Sequence, residues 1–245
     1  MENKIGKVIA VSSGKGGVGK SFVSALTAIS LSRQGYKVGI LDADITGPSI
    51  PKMFGVSDGL FANEDMQLVP VETAKGIKIV SVNLMLEEET TPVLWRGPVL
   101  AKMIGQFWNQ TAWGELDYLI IDMPPGTGDI PLTVYQSIPV SGVVIVSSPQ
   151  DLVRLIVAKS VNMAQHMNIP VIGIVENYSY MECPDCGKRL YPFGMSDIDE
   201  VAASVGTNVI GRLPIMSEFA ALADMGMFES VDLRGVDYNI SDYVK

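Results

Sequence analysis

Short apolar runs rich in valine and isoleucine recur along the chain, and most segments between them are long enough to hold a helix. Such runs are typical of strands that are covered on both faces of a parallel sheet. The pattern predicts seven strands, over residues 7–13, 36–41, 77–82, 118–122, 142–148, 171–177 and 208–211.

Between several of these runs, apolar residues recur three and four positions apart, as they do on one face of a helix. The apolar face after Pro98 is expected to be core, with a dimer surface as the alternative. We find no repeat, linker or low-complexity segment, so we expect a single domain over 1–245 with an inserted cysteine loop near 181–194. Helices are predicted after residue 21 up to Gly35, from Pro98, from Asp151, over 198–205 and from Ser217.

A glycine-rich loop joins the first predicted strand to the first predicted helix and matches the phosphate-binding pattern G-x-x-x-x-G-K-[ST]. Glycines let backbone N–H groups turn towards a polyanion, and the helix N-terminus adds a partial positive charge. Lys20 is expected to reach the β- and γ-phosphates, and the Ser21 hydroxyl to bind Mg²⁺. A purely structural turn is the alternative. The residues predicted to contact nucleotide here are Gly14, Lys15, Gly16, Gly17, Val18, Gly19, Lys20 and Ser21.

A second lysine, Lys15, lies inside this loop, where an ordinary phosphate-binding loop does not need one. Because it cannot easily fold back onto its own nucleotide, we expect it to reach the phosphates held by a facing copy of the chain. An arginine finger acts in trans in the same way. The alternative is a solvated loop lysine.

Three aspartates follow predicted strands, where side chains point into the ligand crevice of a parallel sheet. Asp42 and Asp122 are predicted to hold Mg²⁺ or its water shell, and Asp44 to orient the attacking water. Gly126 lies in a proline-rich segment after Asp122 and is predicted to place its N–H near the γ-phosphate. The alternative is that the aspartates only form turns.

Cys183 and Cys186 form a C-x-x-C pair, and Pro184 and Gly187 suit a tight turn around it. Two thiolates are half a site, because Zn²⁺ and iron–sulfur clusters normally take about four protein ligands. A two-fold dimer supplies the other half if its axis passes through the site. Three other interpretations stay open: a bridging structural zinc, a thioredoxin-like redox pair and a motif without metal.

The charge balance limits the expected partners. Eighteen lysines and arginines against 27 acidic residues give a formal charge of −9, which disfavours nucleic acid and anionic membranes. No apolar run reaches the roughly 18 residues of a membrane helix. The chain passes from Met1 almost directly into the first strand, so we expect no signal peptide. With only two cysteines, close together, a reducing cytoplasm fits best.

The segment Lys15–Ser21, K-G-G-x-G-K-S, resembles the deviant Walker A loop of the family that contains MinD, ParA, the nitrogenase iron protein and the Mrp/ApbC iron–sulfur carriers. The aspartates at 42 and 44 resemble the switch I of that family, and D-x-P-P-G-x-x-D at 122–129 resembles its switch II. W-R-G-P at 95–98 and C-P-x-C at 183–186 are similar to the Mrp/ApbC branch. The resemblance covers nearly the whole chain.

This resemblance implies a doubly wound, mainly parallel α/β sheet with helices on both faces, and a nucleotide-sandwich homodimer. It also implies a labile [4Fe–4S] cluster that bridges two subunits. Asn177 ends a strand with both a donor and an acceptor for a base, and its family counterpart contacts adenine. Pro214 resembles the second wall of the base pocket, with an ordinary loop proline as the alternative. The guanine-reading N-K-x-D is absent at 177–180, which favours ATP.

The leading hypothesis is therefore a cytoplasmic, Mg²⁺-dependent ATPase that assembles or carries an iron–sulfur cluster at a dimer interface and transfers it to apoproteins. The alternative is a ParA- or MinD-like switch in positioning or partitioning, with the cysteines on a structural zinc. Proteins of that second class are expected to have a basic surface or a basic tail. The C-terminal segment of this chain is acidic, and the formal net charge is −9.

Overall fold

The computed structural model describes residues 3–44, 49–57, 59–85, 97–149, 153–234 and 236–244. They form one ten-stranded sheet and a separate two-stranded hairpin. In chain order the strands are β1 (Lys4–Ser12), β2 (Val38–Asp42), β3 (Phe61–Ala62), β4 (Leu68–Val69), β5 (Val71–Glu72), β6 (Lys78–Ser81), β7 (Glu115–Asp122), β8 (Gly142–Ser147), β9 (Val171–Glu182), β10 (Arg189–Leu190), β11 (Val209–Pro214) and β12 (Asp237–Tyr238).

The main sheet has the order β12-β11-β9-β8-β1-β7-β2-β6-β5, and β10 extends β9 as a hairpin. Neighbouring strands from β11 to β6 are parallel, whereas β12, β5 and β10 pair antiparallel. The chain therefore starts in the middle of the sheet and winds outwards in both directions. This order brings the C-terminal ends of the central strands to one edge, where ligands bind in such folds.

Helices cover both faces of the sheet. They are α1 (Lys20–Ser32), α2 (Ile50–Met53), α3 (Gly97–Gln110), α4 (Asp129–Ser137), α5 (Val153–His166), α6 (Ile198–Ser204) and α7 (Ser217–Asp224). Buried side chains of α1, α2 and α7 pack against one face, and those of α3 to α6 pack against the other. The prediction of a mainly parallel sheet with helices on both faces is confirmed. None of the described helices is long and apolar enough to cross a membrane.

The seven predicted strands are present, and the short elements α2, β3, β4, β5, β10 and β12 were not predicted. Two longer elements also differ from the sequence-based expectation. Strand β9 continues beyond the predicted end at residue 177 to Glu182, because the hairpin with β10 extends it beyond the main sheet. Helix α4 was not predicted, since prolines before and within its first turn obscured it. Pro131 is tolerated there because first-turn N–H groups have no partner inside the helix.

Several predicted features lie outside the described residues. They are the tryptophan and arginine of W-R-G-P and the predicted helix start at Asp151. Residues 45–48, which follow the switch I aspartates, also lie outside them.

The C-terminal segment closes over α1 through a buried hydrogen bond. The hydroxyls of Tyr238 in β12 and Thr27 in α1 lie 2.7 Å apart, and both residues are buried. Further along, the Lys7 ammonium donates to the carbonyl oxygen of Val244 at 2.6 Å. These contacts fix the last residues of the chain across the first strand and first helix.

We predict that Tyr238→Phe lowers the free energy of unfolding by about 1 kcal/mol, because it removes a buried hydrogen bond while leaving the ring in place. Urea denaturation monitored by circular dichroism measures this change. Tyr243→Phe is the matched control, since that ring is half exposed near the same terminus. Equal effects of the two substitutions would contradict the assigned role of the Thr27 contact.

Candidate functional site

A cavity of about 1280 Å³ opens at the edge of the sheet where the central strands end. The polar residues of its lining include Ser13, Lys20, Ser21, Asp44 and Asn177, and the apolar residues include Phe22, Pro214, Met216 and Phe219. The combination of polar groups for phosphates and apolar groups for a base is what a nucleotide needs.

The loop between β1 and α1 has the backbone geometry of a phosphate cradle. Gly17 and Gly19 have φ angles of +79° and +80°, which favour glycine strongly. Gly14 is required for a different reason, since a β-carbon there would overlap the Ile156 side chain of α5. The loop is therefore enclosed by α5 on one side and left open towards the cavity at Gly17, where a β-carbon would meet no atom.

Asn177 holds one peptide group of this loop. Its Nδ2 donates a hydrogen bond of 3.0 Å to the carbonyl oxygen of Val18, and the contact is buried. A trans peptide group is planar, so its C=O and N–H point in opposite directions. Because the Val18 carbonyl faces Asn177, the N–H of Gly19 faces away from Asn177. Asn177 thus orients the loop, and its predicted contact with adenine stays a prediction.

Lys20, the first residue of α1, is buried between two carboxylates. Its Nζ lies 2.8 Å from Oδ1 of Asp122 and 3.2 Å from Oδ2 of Asp44. Burial opposes its charge, but these carboxylates outweigh burial and raise the pKa of Lys20. The ammonium is therefore fully charged at neutral pH. A bound phosphate has to compete with both aspartates for it.

Asp42 and Asp122 are register neighbours in β2 and β7, and both are buried. Asp42 accepts hydrogen bonds from the Asp44 amide at 3.1 Å and the Ser81 hydroxyl at 3.0 Å. Burial and the nearby charge of Asp122 nevertheless raise the pKa of Asp42 well above its ordinary value. Two buried carboxylates side by side repel each other unless a cation or a proton offsets one charge.

Magnesium fits the carboxylates at the ends of β2 and β7. The Oδ2 atom of Asp122 is buried and has no hydrogen-bond partner among the described residues. Its other oxygen is shared by Lys20 and by the hydroxyl of Ser24, which donates to it at 2.7 Å. A hard divalent cation prefers such carboxylate oxygens. Ser21, next to Lys20 on α1, contributes a hydroxyl to the cavity lining.

The segment after β7 lies against the phosphate loop. The Gly126 N–H donates to the Ser13 carbonyl at 2.8 Å, and Pro125 lines the cavity. The predicted contact of this N–H with a γ-phosphate therefore requires it to leave Ser13. Lys15 is partly buried in the same loop. Its neighbours Gly16 and Gly17 line the cavity, and Lys15 is not among the lining residues in the described part of the chain.

Cys183 and Cys186 lie in the tight turn of the β9–β10 hairpin. The turn is closed by hydrogen bonds from Cys183 N to Lys188 O and from Gly187 N to Cys183 O. Hydrogen bonds from the backbone N–H groups of Asp185 and Cys186, together with the Cys186 thiol, lower the pKa of Cys183. A strand follows the turn, so the helix N-terminus that activates a thioredoxin-like cysteine is missing from this described hairpin. That interpretation is disfavoured.

This cysteine pair is a half site beside the cavity. In the described part of the chain, no group of three or more histidine, cysteine or acidic residues is arranged to hold a metal. Glu182 and Pro184 of the same hairpin line the cavity that the phosphate loop lines.

The structure thus gathers the predicted phosphate-loop residues, the three aspartates, Asn177 and Pro214 at one edge of the sheet. It also reveals contributors that the sequence analysis missed. Ser24 lies one helical turn after Lys20, so helical spacing could have indicated it. No sequence signal indicated Tyr178, which lines the cavity with a φ angle of +59°.

We predict that Asp42→Asn stabilises the nucleotide-free protein, and increasingly so as the pH rises. The raised pKa means that the folded state holds the Asp42 proton more tightly than the unfolded chain. The free energy of unfolding of the parent therefore falls as pH rises above the ordinary carboxyl pKa. Asparagine does not titrate, so this loss of stability is absent from the variant. Its free energy of unfolding should exceed that of the parent by about 1 kcal/mol near neutral pH.

Urea denaturation in Mg²⁺-free buffer between about pH 5 and about pH 8 measures the difference. Asp65→Asn, at an exposed position, is the control. A stability gap between Asp42→Asn and the parent that is constant with pH would show that Asp42 titrates normally.

Comparison with known proteins places this site in a family. The family model ParA, described as NUBPL iron-transfer P-loop NTPase, matches residues 4–238. An iron-sulfur cluster carrier protein from Clostridium perfringens is 48% identical over 232 residues, which cover 92% of this chain and 81% of that protein.

Solved structures agree. The nucleotide-binding protein from Archaeoglobus fulgidus, in complex with ADP and with cobalt found in it, is 46% identical. It superimposes with a TM-score of 0.84 over 93% of this chain and 89% of its own. The Pyrococcus furiosus cell division ATPase MinD is only 16% identical, with a TM-score of 0.70 over 98% of both chains, and shares the fold. From its phosphate loop, its sheet and this match, the chain belongs to the ParA family of NUBPL iron-transfer P-loop NTPases.

Proposed function

We propose that this chain is an iron–sulfur cluster carrier that binds and hydrolyses ATP, holds its cluster between the cysteine pairs of two copies, and passes it to apoproteins. The observation that carries the proposal is the common cavity of the two sites. Pro184 and Glu182 of the cysteine hairpin line the same space as Gly16, Gly17 and Lys20 of the phosphate loop. The relatives named as iron-sulfur cluster carriers support it.

At the nucleotide end, the proposed first event is an exchange of partners at Lys20. The β- and γ-phosphates replace Asp44 and Asp122 on its ammonium, which frees both carboxylates for other roles. Asp44 lines the cavity and then orients the attacking water. The Gly19 N–H, which points away from Asn177, and the neighbouring loop amides hold the phosphate charge. Because the loop gathers these donors before nucleotide arrives, only a small rearrangement is needed for them to stabilise the transition state.

Magnesium, held by the hydroxyl of Ser21 and through water by Asp122 and Asp42, would neutralise charge that develops on the phosphates during transfer. The supporting observation is the orphan Oδ2 atom of Asp122 beside a second buried carboxylate. The apolar part of the cavity lining, with Pro214 and Phe219, suits the adenine ring.

At the cysteine end, the cargo is an iron–sulfur cluster, with a bridging zinc as the alternative occupant. One chain offers Cys183 and Cys186, and a cluster normally takes about four protein ligands. Two copies related by a two-fold axis supply four thiolates. The exposure of Cys186 and of residues 187–195 after it leaves the pair open to a second copy and, after the dimer opens, to a recipient apoprotein.

We propose that Lys15 acts across this dimer. In a sandwich of two copies it would reach the phosphates bound by the facing copy and stabilise the transition-state charge there. ATP would then favour the closed dimer and hydrolysis would release it, as in other γ-phosphate switches.

Cys183→Ala should abolish cluster binding and leave ATP binding unchanged, because the cavity does not depend on the thiol. Anaerobic reconstitution with iron and sulfide, followed by an absorption spectrum and iron and zinc counts per dimer, measures cargo. Fluorescent-nucleotide titration measures ATP binding. Met195→Ala is the control, since Met195 is exposed in the segment that follows the same hairpin. Equal iron content in Cys183→Ala and parent would overturn the cluster site, and zinc without iron would favour the alternative.

Lys15→Ala should slow ATP hydrolysis by about 10³-fold, the lower limit for a finger in trans, and change the Kd for nucleotide by less than about threefold. Steady-state phosphate release and nucleotide titration measure the two quantities. Lys52→Ala is the control, because Lys52 also lines the cavity but lies outside the phosphate loop. An unchanged turnover number in Lys15→Ala would remove Lys15 from the mechanism.

A further inference from the structure

Strand β9 runs from the nucleotide loop to the cysteine turn, and its middle is irregular. Tyr178 has a φ angle of +59°, in the left-handed region that favours glycine. Between Glu176 and Tyr180, β9 advances four residues while β11 advances two, from Arg212 to Pro214. The strand therefore bulges at residues 177–179, and we call this segment the β9 bulge.

The β9 bulge touches the phosphate loop directly. Asn177 bonds the Val18 carbonyl, and a β-carbon on Gly19 would overlap the Asn177 amide and lie 3.2 Å from the Tyr178 hydroxyl oxygen. Any change in the Val18–Gly19 peptide on phosphate binding must therefore be matched by a change at Asn177 or Tyr178. Close-packed contacts of this kind transmit displacement because neither side has space to absorb it.

The buried side chain of Glu176 holds the bulge through a hydrogen bond with Ser179. The Ser179 hydroxyl donates to Oε2 of Glu176 at 2.5 Å, and the Arg212 guanidinium lies 3.9 Å from the same oxygen. The Glu176 carboxylate is almost fully buried, and its Oε1 atom has no partner in the described part of the chain. A buried, incompletely paired carboxylate is costly. The presence of Glu176 at this buried position is explained if its carboxylate maintains the shape of the bulge.

Beyond the bulge, β9 is rigidly connected to the cysteine turn. The Tyr180 carbonyl accepts a hydrogen bond of 2.6 Å from Ile215 N, and the Arg189 guanidinium lies 4.2 Å from the Tyr180 ring centroid. Arg189 pairs with Glu182 in the hairpin, immediately before Cys183. Five residues lie between Asn177 and Cys183, so the two are at most roughly 20 Å apart along the strand.

We infer that the β9 bulge is the element that transmits nucleotide binding to the cysteine turn, with Tyr178 and Ser179 as positioning residues. This inference rests on the proposed function, which assigns the nucleotide to the loop and the cargo to the cysteines. A phosphate in the loop shifts the Val18–Gly19 peptide, the bulge changes shape, and the rigid end of β9 reorients the turn. The ability of the two thiols to share a cluster with a second copy then depends on the bound nucleotide.

The test uses the reduced full chain, freed of iron and zinc before nucleotide is added. It measures the rate at which a disulfide reagent, dithiobis(nitrobenzoate), labels the thiols. The chain has only two cysteines, so the whole signal comes from the turn. For the parent, saturating Mg·ADP should change the labelling rate by about fivefold or more, a typical coupling factor between sites. Each variant is measured at a nucleotide concentration about ten times its own Kd, so that differences in affinity do not enter.

Ser179→Ala removes the hydrogen bond to Glu176, and Tyr178→Asn removes the ring while keeping a residue that tolerates the left-handed backbone. In both variants the nucleotide effect on labelling should fall below about twofold, against the coupling expected in the parent. Met66→Asn, with φ +58° in an exposed turn, and Ser204→Ala in α6 are the matched controls and should behave as the parent. Should Ser179→Ala fail to fold by circular dichroism, Tyr178→Asn carries the test.

A full nucleotide effect in the folded variants would mean that the nucleotide reaches the turn directly across the cavity, past Pro184, and would overturn the inference. So would a parent that binds Mg·ADP without any change in labelling. Because the assay needs no cluster, its outcome is separate from that of reconstitution. If the parent takes up no iron on reconstitution, the proposed carrier function is overturned. The thiol labelling rates still test the role of the β9 bulge.

Discussion

The buried contact between Lys20 and the carboxylates of Asp122 and Asp44 is the interaction on which the rest of this site depends. It joins the first helix to the ends of β2 and β7, so it fixes the position of the phosphate loop relative to the sheet. With Asp42 beside them, three carboxylates surround one ammonium in a region sheltered from water. The attraction is strong there because the local dielectric is low, and for the same reason the excess negative charge is unfavourable.

That imbalance explains why the site suits a nucleotide together with its metal. A bare polyanion would meet three carboxylates, and a bare cation would leave Lys20 and the loop amides without a negative charge to bind. A magnesium–nucleotide complex would meet both needs, because Asp122 and Asp42 could hold its cation while Lys20 and the glycine-rich loop hold its phosphates. The raised pKa of Asp42 and the orphan oxygen of Asp122 are the signs of this imbalance in the nucleotide-free chain.

The second feature that organises the molecule is the length of β9. Strands that end at the ligand edge, such as β7 and β8, pass into loops and helices there, whereas β9 continues past the edge as one side of a hairpin. It therefore carries Asn177 at the nucleotide loop and leads to Cys183 at the exposed turn within one continuous segment. Few elements in a doubly wound sheet can join two sites so directly, because most strands are buried along their whole length.

The sequence by itself determined seven of the described strands, the phosphate loop and the two cysteines. Each of these depends on residues close together in the chain. β-Branched runs fit a covered sheet, and Gly17 and Gly19 permit positive φ angles that other residues rarely adopt. The spacing of a C-x-x-C pair allows both thiolates to reach one metal atom. The mainly parallel fold and the family also followed from motifs in their order. Helix α4 was not predicted, because prolines before and within its first turn are untypical of a helix. Its packing against α3 and the sheet stabilises it.

Only the tertiary structure decided which groups face one another. The partner of Asn177 is a carbonyl 159 positions away in the chain, and the Gly126 N–H is engaged by Ser13 rather than left open. The β9 bulge likewise depends on the register with β11 and on Glu176, whose buried charge no local pattern reveals. These contacts arise when distant segments meet at the sheet edge, so their geometry is set by strand order and packing rather than by the residues on either side of them.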